Sequence, residues 1–103
     1  MKKCELCQLQ YDDKDTNFHH LIPKSLHKNK YIVKHFKGID LNKYGLTLCK
    51  GCHNKIHSCI SEKDLALRFN SLSLLKQHND IQIWLIWKHK HPNFINTYSR
   101  KNR

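Results

Sequence analysis

Apolar positions along the chain fall into short groups separated by polar and basic stretches. Phe18-His19-His20-Leu21-Ile22, ended by Pro23, predicts a short strand, and Gly45 marks a turn into a second, Leu46-Thr47-Leu48. His53, Ile56 and His57 follow at i, i+3 and i+4, the spacing of one helix face. Ser61-Glu62-Lys63-Asp64 places a capping hydroxyl before an acidic first turn and predicts a helix over 62–69. Asn70-Ser71 offers a break and a fresh cap for Leu72 to Gln77. Asn79-Asp80 offers another for a helix from Ile81 to about His89, closed before Pro92. Trp84 and Trp87 lie on one face of that helix and read as core anchors in preference to base-stacking platforms. The acidic, polar stretch Tyr11 to Asn17 reads as a turn or loop, and residues 24–44 as a long loop or a short irregular helix.

No repeat, low-complexity tract or linker divides these elements. The expectation is one small α+β domain over residues 1–103: a core in 4–57, packing helices in 58–92 and a basic tail in 93–103. The longest strongly apolar run, Ile83-Trp84-Leu85-Ile86-Trp87, is far short of the roughly 20 residues a bilayer crossing needs, so no membrane partner is expected.

Charge changes the picture next. Nineteen Lys+Arg against eight Asp+Glu leave a formal +11 on 103 residues, which points to a polyanionic partner, nucleic acid ahead of an anionic membrane surface. Lys24, Lys28, Lys34, Lys50 and Lys55 are the candidates for phosphate contacts. Such contacts position a strand without reading its bases, which implies weak sequence preference and steep salt dependence. The tail from Tyr98 to Arg103, with three basic residues and no acid, reads as a phosphate-touching end or plain disorder.

The cysteines supply the first chemistry. Met1-Lys2-Lys3 begins like a secretion signal, but Cys4-Glu5-Leu6-Cys7 stands where the apolar segment would be, so a reducing cytoplasm is the expected compartment. There, Cys4-x-x-Cys7 and Cys49-x-x-Cys52 read as a structural Zn(Cys)4 site in preference to two disulfides or four unrelated thiols. The 41 residues between the pairs, 8–48, must then fold as an inserted unit. Cys59, left without a pair, reads as a small core residue.

The histidines supply the second. His53 and His57, at i and i+4, can ligate one ion from a helix face. Neighbouring strand residues point to opposite sides, so of the pair His19-His20 one imidazole can complete a three-histidine site while the other stands apart as a base. His27, His35, His78, His89 and His91 read as exposed or hydrogen-bonded residues.

Taken together, Cys4-x-x-Cys7, His19-His20-Leu-Ile-Pro23 and Leu46-Thr-Leu-Cys49-x-x-Cys52-His53-x-x-x-His57 resemble the HNH endonuclease family, above all its small zinc-stabilised bacterial and phage members. The resemblance covers residues 4–57 and implies a ββα-metal unit, a two-stranded hairpin and a helix that grip one divalent ion and cut DNA. It casts His19, His53 and His57 as ligands of that ion and His20 as the general base that activates water. Tyr44 stands nine positions before His53, where the family carries an Asn that orients the base, so Tyr44 itself or a backbone carbonyl is left to do the holding. Three imidazoles favour Mn²⁺, Co²⁺, Ni²⁺ or Zn²⁺ over Mg²⁺. The implied substrate is DNA, double-stranded, met by a monomer or a homodimer. The alternative expectation is a zinc-containing DNA-binding module with a vestigial nuclease site.

Overall fold

A computed structural model describes residues 1–94; the basic tail from Tyr98 to Arg103 lies outside them. The chain opens with two very short strands, β1 (Lys2–Lys3) and β2 (Gln10–Tyr11), paired antiparallel around the Cys4–Cys7 turn. Gln8 closes that turn with a positive φ of 67°, and its N–H donates to the Cys4 carbonyl at 2.8 Å. A single 3₁₀ turn at Asp13–Asp15 then leads into β3 (Thr16–His20), whose first hydroxyl, on Thr16, donates back to the Asp13 carbonyl at 2.9 Å.

β3 pairs antiparallel with β4 (Gly45–Cys49), with Thr16 opposite Cys49, His19 opposite Leu46 and His20 opposite Gly45. The last pair must be glycine on one side, because a Cβ at residue 45 would fall on the His19 carbonyl and the Phe18 ring. The strand ends at His20, two residues before the end expected from hydrophobicity. Leu21 still donates its N–H to the Tyr44 carbonyl at 3.0 Å, and both Leu21 and Ile22 are buried, Ile22 in a small secondary core with Ile32 and Ala66.

The insertion between the strands carries a 3₁₀ turn at Lys24–Leu26 and one short helix, α1 (Lys30–His35), capped by Asn29, whose side chain accepts from Tyr31 N–H and Ile32 N–H. α2 (Lys50–Cys59) follows β4 without a loop, and Cys49 is its N-cap. α3 (Glu62–Leu67) and α4 (Leu72–Gln77) start at Ser61 and Ser71, each hydroxyl accepting a backbone N–H three residues on. α5 (Asn79–Lys90) starts earlier than its apolar pattern suggests. Its cap is His78, not Asn79 or Asp80: the His78 Nδ1 accepts from Asp80 N–H at 3.1 Å.

The main core gathers Leu6, Leu48, Ile56, Leu65, Leu75 and Ile81 around the four paired cysteines. Of the two predicted aromatic anchors, Trp84 is half-buried against this core, while Trp87 is 37% exposed and stacks on Trp84 and His91 instead. No helix among the described residues is long and apolar enough to cross a membrane.

Candidate metal centres

Cys4 and Cys49 each begin the same local device. The Sγ of Cys4 accepts the N–H of Cys7, and the Sγ of Cys49 the N–H of Cys52, both at 3.4 Å. β1–β2 carries one pair and the β4–α2 junction the other. The two are held together by Glu5, whose N–H donates to the Thr47 carbonyl at 2.8 Å and whose carboxylate accepts from Thr47 N–H at 2.7 Å. All four thiols are buried, with their sulfurs within 4.8 Å of one another, so this cluster could hold a metal ion such as zinc. The thiols also oppose one another's ionisation: hydrogen bonds donated by Cys49, Cys52 and Cys7 pull Cys4 down, while Cys52, with Cys4, Cys49 and Cys7 around it, is pushed far up. Four thiolates at such a spacing require a cation between them.

α5 closes over this cluster. The Trp84 indole N–H donates to the Cys52 sulfur at 3.3 Å, and the His89 Nε2 donates to the Cys7 carbonyl at 2.8 Å. Lys88 is wholly buried, with its ammonium on the Phe94 carbonyl at 2.6 Å and 4.7 Å from the centre of the Tyr11 ring. No carboxylate neutralises it among the described residues. The Trp84 contact was not legible from spacing, since Trp84 lies 32 residues from its sulfur.

The register of β3 and β4 sets His19 over α2. His19 is fully buried, and neither ring nitrogen has a hydrogen-bond partner. His53 and His57 face it, with ring centroids 5.2 and 5.3 Å away, and one ligand nitrogen from each of the three rings falls within a 4.8 Å group. Burial, and then the neighbouring imidazoles, push His19 down to about 3 and His53 to about 4; burial also lowers His57. At neutral pH the trio is therefore three uncharged rings with lone pairs to offer. Asn17, two residues before His19 on the same face of the strand, accepts from the His53 Nδ1–H at 3.4 Å and so turns the bare Nε2 toward His57, 3.2 Å away. Two nitrogens bound to one ion at ~2.0–2.1 Å stand about 2.9–3.4 Å apart, so this pair fits a shared cation. An unpartnered buried imidazole otherwise costs roughly 1–3 kcal/mol.

His20 points to the other face of β3, half-buried and edge-on to Phe18 at 5.0 Å. Burial lowers its pKa, Lys24 and His27 lower it further, and a hydrogen bond with the Asn42 backbone opposes them. Tyr44 does not hold it. The Tyr44 hydroxyl donates to the Asn70 carbonyl at 2.7 Å.

The candidate lysines separate into groups. Lys28 and Lys34 line one shallow groove on α1 together with Lys30, Val33 and Lys37, whereas Lys24 lies beside His20. Lys50 and Lys55 sit half-buried on α2, outside that groove. Cys59 is half-buried and donates its thiol hydrogen to the Lys55 carbonyl at 3.1 Å. No family model, no curated protein and no solved structure matches the chain.

Proposed function

We propose that the chain is a metal-dependent DNA endonuclease of the HNH type, with β3, β4 and α2 as its ββα-metal unit. The observation that carries the reading is His19, buried with two unpartnered ring nitrogens beside two imidazoles of the adjacent helix. A strand-borne histidine in the core of so small a domain is costly unless its lone pair is used. His19, His53 and His57 would hold one divalent cation, which when bound supplies Lewis-acid stabilisation of charge on the phosphate and the leaving oxygen.

The chain's own residues account for the rest. His20, adjacent to His19 yet on the opposite face, is kept neutral by burial and by Lys24, and so can take the proton of an attacking water. Lys24 stands beside the base and Lys28 and Lys34 farther along the insertion, where they would hold phosphates without reading bases.

Supercoiled plasmid incubated with zinc-loaded protein and Mn²⁺ or Ni²⁺ tests the reading. Nicking or linearisation that disappears in His20→Ala, with DNA binding retained, supports it; equal cleavage by both proteins removes His20 from the role. The second reading, a zinc-bearing DNA-binding module with a vestigial site, is favoured by the commitment of Tyr44 to Asn70. Binding without cleavage under any divalent ion would select it.

A further inference from the structure

Between the start of α1 and one side of α3 lies a cleft of about 620 Å³. Its deepest residues are Ile32 and Ala66, both buried, with Leu26 and Leu67 completing the apolar lining. The exposed rim is polar in a specific way. Tyr31 is 53% exposed, and its ring stacks on that of His35 with centroids 3.8 Å apart. The Asn29 carbonyl oxygen is committed to Tyr31 N–H and Ile32 N–H at 2.9 and 3.3 Å, which leaves its amide NH₂ to donate outward. Lys63 and Arg68 stand at the same rim, and neither forms an ion pair; among the described residues the single ion pair joins the Met1 amino group and Asp13.

The cleft adjoins the histidines. Ser25 donates to the Glu62 carboxylate at 2.6 Å, and the next residue of each segment, Leu26 and Lys63, lines the cleft. On the other side, His27, the residue after Leu26, has its ring centroid 6.0 Å from that of His20.

We propose that this cleft receives one unpaired nucleobase of a DNA strand. The base would lie on the apolar lining against Tyr31, with its edge on the Asn29 amide and the flanking phosphates on Lys63 and Arg68. Charge selects this occupant: an apolar peptide segment would desolvate two cations without neutralising either, and a simple fatty acid brings one carboxylate and nothing for Asn29. A nucleotide strand uses all four rim groups. Bases inside a duplex are stacked and cannot enter, so the substrate class narrows to DNA that presents an unpaired nucleotide beside the phosphate to be cut. The inference rests on the nuclease reading for the identity of the strand.

The test uses full-length, zinc-loaded His20→Ala protein and an oligonucleotide carrying 2-aminopurine, either single-stranded or fully paired. The single strand should bind more tightly and change its fluorescence, and the duplex should not. Leu67→Glu, at an exposed rim position, should weaken single-strand binding by at least about tenfold while duplex binding stays within about twofold. Equal affinities for the two DNAs, or a Leu67→Glu protein that binds single strands normally with an unchanged circular dichroism spectrum, overturn the cleft assignment. Laurate displacement of a cleft-bound dye that oligonucleotides fail to displace does so as well. Plasmid cleavage by the wild-type chain reports on the nuclease reading separately. Single-strand binding through the cleft by a chain that never cleaves leaves the cleft standing and sinks the nuclease, whereas cleavage with an indifferent cleft does the reverse.

Discussion

The Nε2 atoms of His53 and His57 stand 3.2 Å apart on consecutive turns of α2, and Asn17 holds the far nitrogen of His53 at 3.4 Å. The helix supplies the spacing and the strand supplies the tautomer. Asn17→Ala leaves the three imidazoles in place but frees His53 to carry its proton on Nε2, where it blocks ligation. Affinity for Ni²⁺ or Mn²⁺, measured by calorimetry on zinc-loaded protein, should fall by roughly 10–100-fold. Asn17→Asp should restore it, because the carboxylate accepts the same hydrogen bond.

Removal of an ion held by the four thiols should unfold the chain. The four cysteines are the centre of the main core, and one strand pair and one helix start depend on their position. A structural zinc supplies roughly 10–16 kcal/mol of apparent binding energy against a typical folding margin of about 5–15 kcal/mol. Far-UV circular dichroism during mercurial titration should show helix loss in step with zinc release, and one equivalent of zinc under reducing conditions should restore the signal. Cys4→Ser should abolish that recovery.

Trp84 and Lys88 should govern how tightly this ion is kept. A dication on four thiolates would carry two net negative charges; an indole N–H donates to Cys52, and a buried ammonium stands over the Tyr11 ring. Trp84→Phe and Lys88→Met should each speed zinc transfer to a chromogenic chelator several-fold while the far-UV spectrum holds. Transfer rates equal to wild type would show that α5 merely packs there.

These two clusters were legible from the chain because their residues obey local rules: two residues between thiols, three between helical imidazoles, and alternation along a strand. The start of α4 at Leu72 was equally plain, since Ser71 is an ordinary cap. What the pattern concealed is non-local or atypical. β1 and β2 have two residues each, too few for a period to emerge, and exist because the cysteine turn closes between them. The α5 cap was missed because an imidazole nitrogen, on His78, stands in for the usual oxygen. The close pairing of His20 with Gly45, 25 residues away, needs the missing side chain of that glycine, and Asn17 meets His53 across 36 residues. Tyr44 kept its alternatives open in the sequence; its hydroxyl turned out to belong to Asn70.

The donor set also orders the metals that should serve. Three neutral imidazoles with no carboxylate suit transition ions, whereas Mg²⁺ prefers oxygen shells. Plasmid cleavage should be at least about tenfold faster with Mn²⁺, Co²⁺ or Ni²⁺ than with Mg²⁺ at equal concentration. Activity with Mg²⁺ and none with the other three would reassign the ligands.

Cobalt titration of the metal-free, reduced chain goes most directly to the claim that there are two separate ion centres of different chemistry. The first equivalent should bring intense near-ultraviolet sulfur-to-cobalt absorption; the second should add only weak visible bands, and His57→Ala should remove the second alone. A single equivalent in the wild-type chain, or a second one indifferent to His57→Ala, would contradict the account.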